Sequence, residues 1–226
     1  MLLRRALTTN FGDDLSSEIV RLITGKNPKN VNQSFRNPQN ETIYMAIGSI
    51  MGWADNNTEV WGAGFINNVG SIVAPPKKIH AVRGMLTRNI LRIKGIECPQ
   101  IYGDPALLMP RFYNPMLKKK YKLSIIPHHI DRVLIPKLKE QYPDAHFIDV
   151  TGGIYQFIDE VIQSEHVISS ALHGLIIADA YDVSNQHKAF SNKVLGNGFK
   201  FRDYQTSRGH VNLDKLLEAC PFRRKQ

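Results

Sequence analysis

A chain of 226 residues can bury the core of one large domain or two small ones. Its 42% hydrophobic and 22% charged residues exclude the disordered and fibrous classes. Lysine and arginine outnumber aspartate and glutamate by 29 to 20, a formal charge of +9. That balance favours anionic partners without choosing among nucleic acid, an anionic membrane face and a phosphorylated small molecule. The basic residues are scattered apart from Lys118-Lys119-Lys120 with Lys122, and a tail at Arg223-Arg224-Lys225. Aromatics do not interleave with these runs as a single-strand binder requires, so nucleic acid is not an expected partner. Cys98 and Cys220 have no metal-ligand spacing and read as free thiols of a reducing compartment, and the histidines supply no metal site.

Short β-rich runs alternate with helical patterns, the signature of parallel sheets covered by helices. Residues 1–7 lack the long apolar stretch of a secretion signal and read as a first strand. A helical face through Leu15, Ile19, Val20, Leu22 and Ile23 comes next and stops at Gly25. Residues 27–41 form a polar loop. Ile43–Ile47, Glu59–Gly62 and Lys78–Val82 are further strands, the last followed by a helix through Leu86, Ile90, Leu91 and Ile93. Cys98–Tyr102 supplies a fifth strand, and Pro110–Lys120 links two halves, 1–110 and 111–226. The second half repeats the pattern: strands at Leu123–Ile126, Phe147–Val150 and Val167–Ser170, helices at Val133–Tyr142, Tyr155–Gln163 and Leu175–Tyr181. Pro136 fits only the first turn of its helix. Beyond Asp182 the pattern is legible only as a glycine-rich piece at Gly196–Gly198 and an amphipathic stretch at Val211–Ala219. No stretch of about 18 apolar residues occurs that could span a bilayer. A cytoplasmic protein is expected, with work at the inner face of the membrane left open.

Polar residues fall where strands end: Asn10, Gly12 and Asp13 after the first, Gly62 and Gly64 after the third, Arg83 after the fourth, and Asp104, His128 and His173 after later ones. Residues at the carboxyl ends of parallel strands converge on one crevice, and histidine there is a candidate acid or base near neutral pH. Each has a plainer use. Asp13 or Asp14 can cap a helix, Asp104 can order the turn before Pro105, Arg83 can form an ion pair, and His173 can be hydrogen-bonded where helix meets strand.

The ordered set resembles the polysaccharide pyruvyl transferases, especially the exopolysaccharide members. It comprises Asn-Phe-Gly-Asp at 10–13, Ile-Gly-Ser-Ile at 47–50, Val-Trp-Gly-Ala-Gly-Phe at 60–65 and Val-Arg-Gly-Met-Leu-Thr-Arg at 82–88. Tyr-Gly-Asp-Pro-Ala-Leu-Leu at 102–108, Ile-Ile-Pro-His at 125–128, Ser-Ser-Ala-Leu-His-Gly at 169–174 and Gly-Phe-Lys-Phe-Arg-Asp-Tyr at 198–204 complete it. The resemblance implies two Rossmann-like halves facing a cleft, as in GT-B glycosyltransferases. It also implies phosphoenolpyruvate as co-substrate, no further cofactor, and a sugar or lipid-linked oligosaccharide as acceptor. His173 would then be the general acid or base and Arg83 the chief anion-binding residue. Ser170, Leu172 and Gly174 would lie beside the donor, with backbone N–H groups at a helix N-terminus, and Asn10, Gly12, Asp13, Gly62, Gly64, Asp104 and His128 would line the cleft.

This chain departs from the resemblance at Ala171, where certain members carry an arginine before the Leu-His pair. Arg88, His128, Lys200 or Arg202 would have to compensate. Two other functions share the architecture: a glycosyltransferase using a nucleotide sugar, and a non-catalytic domain that binds polysaccharide precursors.

Overall fold

The computed structural model describes residues 1–5 and 11–223. The fold is α/β, with two wholly parallel, helix-flanked sheets in two Rossmann-like halves. In the first half β1 (Leu2–Arg4), β2 (Lys29–Val31), β3 (Ile43–Met45), β4 (Thr58–Trp61) and β5 (Lys78–Ala81) pair in the order β2-β1-β3-β4-β5, with α1 (Phe11–Thr24) and α2 (Met85–Ile93). In the second half β6 (Tyr121–Ile126), β7 (His146–Phe147), β8 (Ser164–Ser169) and β9 (Ser184–His187) pair in the order β7-β6-β8-β9, with α3 (Ile135–Gln141), α4 (Ile154–Ile162) and α5 (Leu172–Ala180). Two further helices come after, α6 (Phe199–Gln205) and α7 (Leu213–Glu218). Pro136 sits in the first turn of α3, as its fixed φ requires.

Both strand orders reverse direction at one point, between β1 and β3 in the first sheet and between β6 and β8 in the second. Loops leaving neighbouring strands at such a point run to opposite faces and open a crevice at the carboxyl ends. The start of α1 and the segment after β3 flank the first crevice; the segments after β6 and β8 flank the second. The halves are held together by one continuous core. Leu3, Leu15 and Ile19 of the first half pack in the same cluster as Val167, Ile176 and Ile177 of the second. α5 lies in the middle of this contact, against the 3-10 turn Pro105–Arg111 and α4. Its Leu175, Ile176 and Ile177 are buried, each worth about 1.5–3 kcal/mol relative to exposure.

Several expectations need correction. Residues 27–41 contain an edge strand, β2, which has one inward side chain, Val31, and so no apolar run to mark it. β9 is another edge strand, built of Ser, Asn, Gln and His. Cys98–Tyr102 forms no strand: one bridge joins Tyr102 to Val82, and Pro99 has no N–H for a ladder. The first strand ends at Arg4, and the rest of its expected span, residues 6 and 7, lies outside the described residues. The glycine-rich piece near Gly198 leads straight into α6, with Gly198 as its left-handed N-cap at φ 73°.

α6 and α7 return to the first half. Trp61 Nε1 on β4 donates to the Leu216 carbonyl of α7 at 2.7 Å. Asp203 of α6 accepts from Thr87 N at 2.8 Å and Thr87 Oγ1 at 2.7 Å, and from Arg83 Nε at 3.0 Å. Gly84 gives α2 no capping side chain, so Asp203 takes the Thr87 N–H and meets the positive end of the helix dipole, while Thr206 Oγ1 accepts from Met85 N at 3.1 Å. Both Asp203 and Arg83 are completely buried. Removing one partner of such a pair strands the other charge. Asp203→Ala is therefore expected to destabilise the protein by about 3–5 kcal/mol, measured as a fall in the midpoint of urea unfolding monitored by circular dichroism.

Candidate active site

The two crevices merge in a cavity of about 230 Å³. Gly48, Ser49, Ile50, Trp53 and Ile66 line it from the first half, Phe11, Gly12 and Asp13 from the start of α1, His128, His129, Val150, Phe157 and Ala171–Gly174 from the second, and Lys200 from α6. Of the residues expected from sequence, Gly12, Asp13, His128, Leu172, His173 and Gly174 meet here. Asn10 lies outside the described residues.

His173 is the second residue of α5, projecting from the helix start into the wall shared with α1. A Cβ on Gly12 would overlap the imidazole, so the absence of a side chain at residue 12 gives the ring its place. Its Nε2 is buried, has no hydrogen-bond partner among the described residues and faces Asp104 Oδ2 at 3.8 Å, which is itself buried and unpartnered. Its Nδ1 lies on the ring edge beside Gly12 and makes no hydrogen bond among the described residues; the residue lines the cavity with about a fifth of its side chain exposed. Burial, with Lys200, Arg83 and His128 nearby, pushes the imidazole down to about 3. Burial likewise pushes the Asp104 carboxyl up to about 7, against its hydrogen bond from Ala106 N–H and the Arg83 charge. Both shifts reflect the cost of charge in a dry site.

Asp104 thus does two things. Its Oδ1 caps the 3-10 turn by accepting from Ala106 N at 3.0 Å, and its Oδ2 points at the histidine. It lies behind the cavity wall. Ser170 is also behind the wall: its Oγ accepts from His128 N at 2.8 Å and donates to buried Asp131 at 2.7 Å. That contact fixes the loop carrying His128 and His129. Gly62 and Gly64 are packing positions outside the lining. A Cβ on Gly62 would overlap Pro105, and one on Gly64 would stand 2.6 Å from the Arg83 guanidinium. Gly174 belongs to the lining, but its N–H is taken by the Ala171 carbonyl at 3.1 Å. The first-turn donors of α5 left open among the described residues are those of Leu172 and His173.

Arg83 is placed differently from the sequence expectation. Its guanidinium is fully buried, bonded to Asp203, to Ser49 Oγ at 2.7 Å and to the Phe65 carbonyl at 2.6 Å. It meets the cavity only through Ser49. The structure separates the four candidates that could stand in for an arginine at position 171. Arg88 donates to the Cys98 carbonyl and Arg202 to the Asn197 carbonyl. His128 lines the cavity but is held neutral, pushed down to about 3 chiefly by burial. Lys200 lines the cavity at 8% exposure. Among the described residues its ammonium has no hydrogen bond or ion pair, only the Phe201 ring at 5.3 Å. Burial and the Arg83 charge push it down to about 8, so it carries its charge at neutral pH.

The sequence reading missed His129, Ser49 and the apolar lining of Phe11, Trp53, Ile66, Val150 and Phe157. His129 and Ser49 had the same signal as the residues that were found, since each comes after a strand of a parallel sheet. Among the described residues no helix is long and apolar enough to cross a membrane.

Comparison with known proteins agrees with this geometry. The sequence profile of the family "Polysaccharide pyruvyl transferase" matches residues 10–184. That span runs from the start of α1 through α5 to the beginning of β9. The chain is also similar to the "Succinoglycan biosynthesis protein ExoV" of Rhizobium meliloti (strain 1021), at 28% identity over 212 residues. The match covers 88% of this chain and 62% of that protein. With the profile matched over most of its length and across both crevices, this chain belongs to the polysaccharide pyruvyl transferase family.

Proposed function

We propose that this protein transfers a pyruvyl group from phosphoenolpyruvate to hydroxyls of a cell-surface saccharide or its lipid-linked precursor, closing a pyruvate ketal. The observation that carries this reading is the meeting of three features in one cavity. A neutral imidazole, an unpaired lysine and the open N-terminus of α5 converge there, in a chain of this family. The donor has a carboxylate and a phosphate, which need fixed positive charge, and an enol carbon, which needs a proton. Lys200 and the N–H groups of Leu172 and His173 supply the first; His173 supplies the second. Protonation of the methylene carbon leaves a cationic centre at the carbon bearing phosphate. A sugar hydroxyl attacks it and gives its proton to the imidazole, the bond from that carbon to the phosphate oxygen breaks, and a second hydroxyl closes the ring, its proton leaving with the phosphate. The cavity volume of about 230 Å³ suits a small donor.

The direct test is incubation with phosphoenolpyruvate and oligosaccharide acceptors, then mass spectrometry for an added pyruvate ketal. Thermal shift separates the alternatives: stabilisation by phosphoenolpyruvate supports the transferase, by a nucleotide sugar a glycosyltransferase, and by neither a binding domain. His173→Gln is expected to abolish ketal formation while keeping the wild-type circular dichroism spectrum; phosphate release at the wild-type rate by the folded variant would remove His173 from this role.

Lys200 sets the pH dependence of donor binding. A bound anion favours the charged ammonium, so affinity holds below about pH 8 and declines above it, by up to about tenfold per pH unit. Isothermal titration with phosphoenolpyruvate between pH 7 and 9.5 measures this slope. Lys200→Gln is expected to bind weakly at every pH and to lose the decline.

A further inference from the structure

We infer that Asp104 is a positioning residue and proton partner for His173: its unpartnered Oδ2 sets which form of Nδ1, proton-bearing or bare, the imidazole presents to the cavity. This rests on the proposed role of His173 and goes beyond it by naming the group that makes the role feasible in so dry a site.

Asp104 Oδ2 and His173 Nε2 are buried polar atoms without a hydrogen bond among the described residues, and they face each other at 3.8 Å. Buried polar groups are nearly always paired, and a movement of about 1 Å brings these two to ordinary hydrogen-bond length. The remaining geometry fixes which atoms can meet. Asp104 Oδ1 is held by Ala106 N–H, which leaves Oδ2 for the histidine. A side chain at position 12 would cover the Cε1–Nδ1 edge of the ring, and glycine there leaves Nδ1 uncovered beside the cavity. The charged and titratable groups around the ring are Lys200 on α6, Arg83 after β5, His128 after β6 and, across the cavity on α1, Asp13. Three of these are cationic or can become so, and they oppose an imidazolium.

An imidazole that resists positive charge is a poor acid if it must first become an imidazolium. Paired with Asp104 it need not. When the carboxyl is protonated, O–H donates to Nε2 and the ring's own proton sits on Nδ1. As Nδ1 gives that proton to the donor's methylene carbon, the carboxyl proton passes to Nε2. The ring stays neutral throughout, and Asp104 ends as a carboxylate accepting from Nε2–H. The bare Nδ1 is then a base, able to take the proton of an attacking sugar hydroxyl; when it does, Nε2 returns its proton to Asp104 and the pair is restored. One proton enters and one leaves per cycle. Outside catalysis the same pair titrates as a unit, losing one proton as Asp104 ionises near its raised value of about 7.

Nitrogen NMR on protein labelled at histidine tests this without turnover. In the wild type His173 is expected to remain neutral from pH 5.5 to 8.5 and to change from the Nδ1–H to the Nε2–H tautomer as pH rises. Asp104→Asn keeps the Oδ1 cap on Ala106 and puts an N–H opposite Nε2, so its His173 is expected to stay in the Nδ1–H tautomer throughout. A wild-type His173 that keeps one tautomer, or that becomes an imidazolium in this range, overturns the inference. So does an Asp104→Asn variant that forms ketal at the wild-type rate with the wild-type pH profile. If the wild type shows the tautomer change yet forms no ketal with any acceptor, the pair stands and the transferase reading fails.

Discussion

The Asp203 carboxylate is the contact on which the site's geometry depends. It sits between the guanidinium of Arg83 and the first turn of α2, completely buried with its partner, and it does so from α6, far along the chain. Breaking it would leave charge stranded in the core and the start of α2 without a cap. Lys200 stands three residues earlier on the same short helix, so the clamp that secures α6 also delivers an ammonium to the cavity. Arg83 is meanwhile consumed by the clamp. A cation at the carboxyl end of β5 is therefore bonded within the fold, and a cation brought by the returning helix lines the cavity. The exchange has a geometric logic, since a buried arginine with three kinds of partner is fixed in place, while Lys200 has no hydrogen bond or ion pair among the described residues.

Dryness is the second constraint, and it acts on His173, His128, Lys200 and Asp104 in the same direction. The apolar lining of Phe11, Ile50, Trp53, Val150 and Phe157 strengthens any charge interaction within the cavity. It also makes each charge costly, and His173, His128, Lys200 and Asp104 all shift toward their neutral forms with burial as the largest cause. An anionic ligand would reverse much of this, because its charge favours the ammonium and offsets the field of Arg83. A bound anion would thus raise the proton affinity of each of these groups.

The legible part of this fold was the part with a strong period. β3, β4, β5, β6 and β8 have apolar runs, and α1, α2 and α4 have apolar stripes, so strand and helix could be told apart and the strand ends located. β2 and β9 lie at sheet edges with few buried side chains, and an edge strand needs no apolar face to form. α6 was illegible for another reason: its buried residues include Lys200 and Asp203, polar groups whose burial depends on partners remote in sequence. The same reason separates the site residues that could be read from those that could not. His173 and His128 come after apolar strands, and position alone marked them. That Arg83 is fully hydrogen-bonded behind the lining depends on Asp203, which periodicity does not connect to it.

Ala171 makes the choice of cation matter for how an anion is held. An arginine there would extend from the end of β8 and present a planar fork suited to two anion oxygens at once. Alanine leaves room, and Lys200 approaches the cavity from the returning helix as a compact point charge with rotatable donors. Such a charge holds an anion with less directional demand than a fork does, so orientation must come from elsewhere. The fixed groups able to supply it are the first-turn N–H donors of α5 and the imidazole wedged against Gly12. Alignment of a bound anion is therefore tied to the backbone of α5, which is anchored in the core shared by both halves, while attraction is tied to α6. Because Tyr204 of α6 donates to Asp179 of α5 and both helices pack in that same core, the two contributions are coupled, and a change to one is felt by the other.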